Sequence, residues 1–407
     1  MEPRRRRRRT TNSGGISRLQ RAAAAVFSNE DLLVEIFSRV PVKPIVRFKS
    51  VCKQWYSLIS DPTFSVMHAR KNHSCNGLLL RSTLTQHPAL SLVPFEGYQP
   101  PRVLPFEFLN NQDTDLLHSC KGLLCYSIAN LDDSMLTAYY ICHLASGKST
   151  RIAVLDVPLV ADLRAVNIAF DPLQSVHYKV IFVYEISSAL SSRLIKIDTF
   201  LSETQSWKPI NKVIIVPNGV IFNHKGVYLD STIYWFDQGE ESVWYFDLDE
   251  EYVDKMPAPK VPWGPLAFRM SLEYFGESGG NLHIITANRP YGTDFTVYEM
   301  QSDKSCWFVK YRGDLDDVAE EFPRMVRGPH YAIGYAYVLL CLLEGETQDD
   351  QSSNLVLVVP GKVISYNLKD NSFKQLCDLR PARSFGISAL GDGGIITHQY
   401  FETLARI

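Results

Sequence analysis

The chain has 407 residues, of which 45% are hydrophobic and 12% aromatic, with 42 basic against 44 acidic side chains for a net charge of −2; this is room for one large or two to three ordinary domains. Charge is uneven: eight arginines against Glu2 give the first 25 residues a net of +7, which leaves −9 for everything after Ala25. A mildly acidic body argues against a nucleic-acid surface, which would need a basic stripe.

The run Arg4 to Arg9 reads as a solvated, disordered tail over residues 1–25, with nuclear import or loose polyanion attraction as its functional readings. No secretory signal is expected, because Ala22 to Phe27 is too short for an apolar signal core. The most apolar later stretch, Tyr335 to Leu343, is about half a bilayer span and ends at Glu344, so it reads as a buried strand with no membrane partner. Eight cysteines (52, 75, 120, 125, 142, 306, 341, 377) form no CxxC pair and no regular framework, as expected of reduced, packed thiols. The sequon Asn72-His73-Ser74 means nothing outside the secretory route, and the expected location is cytoplasm and nucleus.

Residues 26–72 read as a module of short helices. Leu32, Leu33, Ile36, Phe37 and Val40 recur at the spacing of one helical face, with Ser28 as the expected cap and Glu30 and Asp31 in the first turn. Pro41 stops that helix. Pro44 can open a second, 44–51, and a third over 53–60 carries Trp55, Leu58 and Ile59 before Asp61-Pro62 starts a run reaching Lys71. A unit this small with so many large apolar side chains cannot bury them alone, so a partner is expected to cover what is left.

The stretches DLLVEIFSRVPVK (31–43), RFKSVCKQW (47–55) and SLISDPTF (57–64) make this module resemble the F-box of plant F-box proteins. One departure is visible: the Leu-Pro pair that usually opens the motif is Ser28-Asn29 here. The resemblance implies a Skp-type adaptor as partner and, through it, cullin. It also implies adaptor-facing or adaptor-supporting roles for Leu32, Leu33, Ile36, Phe37, Val40, Pro41, Val51, Cys52 and Trp55.

Over residues 77–407 the texture changes to short apolar, aromatic-rich runs separated by Gly, Pro, Asp, Asn and Ser. Examples are GLLLRS (77–82), YKVIFVYEI (178–186), GVYLDSTIYWF (226–236) and LVLVVP (355–360); a helix is expected only around 314–322. A strand–polar turn–strand unit recurs with its last apolar residue before the turn at Leu144, Leu201, Leu248, Met300 and Leu368, and a Gly followed by an apolar strand recurs at Gly77, Gly122, Gly226 and Gly280. A period near fifty residues with several strands each is that of kelch-like propeller blades. The expected fold is therefore α+β multidomain: a short helical module followed by a large all-β, kelch-like propeller of about six blades, with an irregular β-sandwich as the open alternative. SCKGLLCYS (119–127), IAFDPLQSVHYKVIFV (168–183), YFDLDEEYVDKMPAP (245–259) and VISYNLKDNSFKQL (363–376) resemble the F-box-associated domain of the same plant proteins, and 398–407 resembles that family's C-terminal strand.

Several motifs imitate chemistry. Gly276-Glu277-Ser278-Gly279-Gly280 is like a serine-protease signature without its histidine partner, and Gly147-Lys148-Ser149 is like the end of a P-loop whose first Gly would fall at Cys142; both read as turns. Cys120, Cys125 and His118 have no zinc spacing and read as packed side chains, while His68, His73 and Cys75 read as a solvated linker. The Pro-rich turn 257–263 offers Pro262 and Trp263 as a target-binding loop, because aromatic anchors dominate interfaces. The expected function is a non-catalytic receptor of a Skp–cullin–F-box ubiquitin ligase, with no cofactor and no metal, binding an unidentified target protein through the β domain. The rival readings are an adaptor-independent scaffold and, more distantly, a propeller enzyme.

Overall fold

A computed structural model describes residues 25–72, 74–82, 90–95, 97–100, 106–111, 113–129, 137–152, 162–188, 192–210, 213–217, 220, 222–237, 239–261, 271–327, 334–345, 353–379 and 395–407. The Arg-rich tail, His73 and the loop carrying Pro262 and Trp263 lie outside them.

After helical residues 25–28, the described part of the N-terminal module has four short helices: α1 (Glu30–Phe37), α2 (Val42–Phe48), α3 (Lys53–Ile59) and α4 (Pro62–Lys71). Asn29, not Ser28, caps α1, its Oδ1 accepting the Leu32 N–H at 3.1 Å, while the Ser28 hydroxyl donates back to the Ala25 carbonyl. The departure from the Leu-Pro opening therefore leaves a competent cap. Helix α2 starts at Val42, two residues before Pro44, which is tolerated within the first turn where its missing N–H has no partner to lose. Asp61 caps α4 through the Thr63 N–H at 2.7 Å, with Pro62 at the first helical position.

The remainder is a six-bladed propeller of antiparallel sheets. Blades one to five occupy 114–152, 162–217, 227–257, 271–313 and 338–378, each with four strands in sequential order, blade two carrying an extra edge strand, Ile214–Pro217. The sixth blade is assembled from distant pieces: Ile395–Tyr400 pairs with Gly77–Ser82, which pairs with Leu90–Pro94. That pairing closes the ring. Six apolar cores, each shared by two neighbouring blades, run around it without a gap, so each blade buries on its neighbours what a lone sheet would expose.

The five strand–turn–strand anchors read from the sequence are the turns between the third and fourth strands of blades one to five. Each holds one residue in the left-handed region: Gly147, Gln205, Glu251, Lys304 and Asn371, with φ between 52° and 69°. The glycine element is not one recurring position. Gly122 and Gly280 sit in the first turn of their blades, whereas Gly77 begins a second strand and Gly226 precedes a first strand. In blade three that first turn is made by Asp230 and Ser231, both left-handed (φ 47° and 57°), so GVYLDSTIYWF is a hairpin of Val227–Leu229 and Thr232–Asp237. Helix α5 (Asp316–Glu321) lies in the connection between blades four and five, with Leu315, Val318 and Met325 in their shared core. The segment 401–407 leaves the sheet after Tyr400 instead of extending the strand.

Candidate adaptor face and propeller sites

The helical module has a core of its own, built from Leu33, Phe37, Ile45, Leu58, Ile59 and Phe64. Phe37 meets Trp55 edge-on at 4.8 Å, and Phe48 and Phe27 pack on the same indole at 5.5 and 5.8 Å. His68 belongs to this core too: it is buried, its Nε2 lies 2.8 Å from the Val40 carbonyl, and burial lowers its pKa, so it is not part of a solvated linker.

What this core leaves outside is the informative part. Leu32 is 45% exposed and Ile36 47%, one turn apart on α1, and Val51 is 59% exposed beyond α2. Val46, Tyr56 and Cys52 are also exposed, Cys52 while its Sγ accepts the Trp55 N–H as the cap of α3. Pro41 is exposed, and Val40 and Trp55 are half-buried. Leu33 and Phe37, at 0% and 2%, face the module's own core. Of the nine sequence-derived positions, these two lie in the module's own core, beneath the exposed ones. Adjacent leucines on one helix thus have opposite environments, a distinction that the apolar spacing alone does not carry.

Among the described residues suspected of chemistry, His118, Cys120 and Cys125 are engaged in packing. His118 accepts the Ile168 N–H at Nδ1 (3.0 Å) and donates from Nε2 to the Gly226 carbonyl (2.7 Å), which stitches the inner strand of blade one to blades two and three. With both nitrogens occupied it has no lone pair for a metal. Burial pushes the Cys120 thiol up to about 12 and the Cys125 thiol up as well, which makes both inert. Gly276–Gly280 is the first turn of blade four and Gly147–Ser149 the last turn of blade one.

Among the described residues one group has metal-like spacing: His283, Glu299 and Glu344, between blades four and five. The Lys310 ammonium contacts both carboxylates, so the cation position is already filled by the chain itself. Burial disfavours the charges, but hydrogen bonds to Glu299 and Glu344 more than offset it and leave Lys310 raised; those from His283 and Lys310 likewise leave Glu299 lowered. A buried ion network of this kind orders the blade junction.

Turns alternate between the two rims of an up-and-down blade, so the first and third turns face the helical module and the second turns and blade connections face away. On the far rim the second turn of blade four is tied to the connection that follows it: the Tyr335 N–H donates to the Pro290 carbonyl at 2.6 Å and Thr293 Oγ1 to Asp316 at 2.5 Å. Tyr291 stands exposed on this ordered loop pair, a position that sequence reading did not single out.

The chain thus joins a small helical module with an exposed apolar face to a closed propeller. The F-box domain family matches residues 29–66, the stretch containing that face. The chain is 30% identical over 376 residues to F-box protein At5g07610 of Arabidopsis thaliana, covering 88% of this chain and 87% of the relative. It is 24% identical over 299 residues to the F-box/kelch-repeat protein At3g23880 of the same plant, covering 68% and 77%, and 26% identical over 252 residues to its putative F-box protein At3g17490, covering 57% and 60%. The chain belongs to the plant F-box proteins with a C-terminal propeller. F-box proteins in general act as substrate adaptors of Skp–cullin–F-box ligases and are generally non-catalytic receptors.

Proposed function

We propose that this protein is the substrate-recognition subunit of a Skp–cullin–F-box ubiquitin ligase, docking on a Skp-type adaptor through Leu32, Ile36, Val51 and their neighbours and holding a target protein on the propeller. The observation that carries the reading is the face of α1. A folded module with its own aromatic core still leaves Leu32 and Ile36 in solvent, and the family matched at these residues is one whose domain binds that adaptor. Burying four such side chains supplies about 6–12 kcal/mol gross at 1.5–3 each, much of it offset by association costs. The chain's contribution to ubiquitin transfer is effective concentration: the target's lysines are held near a charged conjugating enzyme that the ligase supplies through cullin. The far rim around Tyr291 is the target surface in this reading, and cytoplasm and nucleus are the compartments.

The test is co-purification with a purified Skp-type adaptor. The double variant Leu32→Asp/Ile36→Asp is expected to lose adaptor binding while its thermal unfolding is unchanged, because both side chains are outside the core. Undiminished binding would refute the reading and leave an adaptor-independent scaffold. Leu33 is unsuitable for this purpose, since a carboxylate there would unfold the module.

A further inference from the structure

The segment 401–407 touches both halves of the molecule. Glu402 is buried at their junction. Its N–H donates to Asn76 Oδ1 at 2.8 Å, its carboxylate accepts from the Tyr98 hydroxyl at 2.7 Å and the Tyr400 hydroxyl at 3.2 Å, and Lys43 of helix α2 lies 3.7 Å away. The Thr403 carbonyl accepts from His143 Nε2 in blade one at 2.8 Å, and the Arg406 N–H donates to the Val176 carbonyl of blade two at 3.2 Å. Side chains then alternate. Leu404 packs against the helical module's core and the Arg406 guanidinium donates to the Ser60 carbonyl that ends α3, whereas Ala405 and Ile407 pack into the core between blades one and two. By contrast, the direct covalent link between the module and the propeller is only the short stretch 72–76.

We propose that 401–407 is a strut that fixes the orientation of the F-box module on the propeller, with Glu402, Leu404 and Arg406 as positioning residues for ubiquitin transfer. A tether alone would let the module wander: a flexible five-residue link has a root-mean-square span of roughly 12 Å. The strut removes that freedom by gripping the module at three places, α2 through Glu402, the module's core through Leu404 and the end of α3 through Arg406, while its other side is anchored in the ring. A target held on the far rim then meets the conjugating enzyme from one direction, and which of its lysines are modified follows from that geometry.

The distance between the module and the ring can be read directly. Cys52 on the module and Cys306 on blade four are both exposed and take nitroxide labels in a full-length chain whose half-buried Cys75 and Cys377 are changed to serine. Electron–electron resonance is expected to give one narrow distance for that chain. Leu404→Asp combined with Lys43→Met is expected to broaden it by roughly 10 Å, the reach of the freed link. Leu404→Met is expected to keep it narrow, as a merely destabilised chain would not. Measured on unlabelled chains that keep Cys52 free, the adaptor affinity of all three is expected to be equal, and the self-ubiquitination sites mapped by mass spectrometry are expected to spread over more lysines in the broadened variant only. A narrow distance in the double variant overturns the proposal. So does broadening in Arg406→Ala or Lys43→Met accompanied by loss of the ring's thermal transition, since the segment would then serve the propeller and not the module. The lysine-mapping arm rests on the receptor reading above, while the distance arm does not. A narrow wild-type distance with no ubiquitin transfer would therefore unseat the receptor reading and leave the strut standing.

Discussion

The helical module and the propeller face the same shortage and meet it differently. Neither four short helices nor a four-stranded sheet can bury all its apolar surface alone. The blades solve this within the chain: each shares a core with both neighbours, and the last shares one with the first. The module does not, for it buries one side of α1 and leaves Leu32 and Ile36 on the other. The difference separates a self-satisfied platform from a surface that needs a second protein.

Acid should break the platform most severely. His118, His143 and His398 are fully buried and neutral, and desolvation holds their folded pKa values at about 4, about 4 and about 3. The unfolded chain takes up protons near pH 6.5 where the folded ring does not, so stability is complete above that value and falls as pH drops toward 4. Three such groups correspond to a slope on the order of 4 kcal/mol per pH unit near pH 5. Denaturant midpoints measured from pH 7 to pH 4.5 check this; a flat profile would mean that these histidines are solvated.

Truncation should separate the two regions. Trp235→Ala empties a site between blades two and three where the indole also donates to Asn167 Oδ1 at 3.0 Å, and should cost about 3–5 kcal/mol and lower the ring's melting as a whole. Leu33→Ala should cost about 2–5 kcal/mol, whereas Leu32→Ala, its neighbour, should stay within about 0.5 kcal/mol. Equal losses for the two leucines, read by chemical denaturation, would erase the contrast between the module's core and its open face.

The smallest effect is a gain. Glu241, in the second turn of blade three, holds φ 48°, and Glu241→Gly should stabilise the ring by about 0.5–1 kcal/mol by relieving the left-handed strain of a side chain. A loss on thermal unfolding would show that the turn is not strained.

Much of this architecture is legible along the chain because it is local. The turns after Leu144, Leu201, Leu248, Met300 and Leu368 mark five blades, since a tight turn needs its polar and left-handed residues within a few positions of the strands it joins. The F-box is legible for the same reason, its caps and apolar spacing lying within forty residues. Local pattern misplaced the cap of α1 by one residue, because Ser28 and Asn29 have equally suitable side chains and only the entry of the backbone chooses between them.

The sequence by itself determined the repeating strand–turn–strand unit, the nature of the two regions and the resemblance to the family. Only the tertiary structure decided that the sixth blade is built from Gly77–Ser82, Leu90–Pro94 and Ile395–Tyr400, that Leu32 faces water while Leu33 does not, and that 401–407 grips the helices. The physical reason is distance along the chain. Gly77 pairs with Tyr400, and Leu404 with the module's core, through contacts that no local periodicity records and that exist only once the ring has closed.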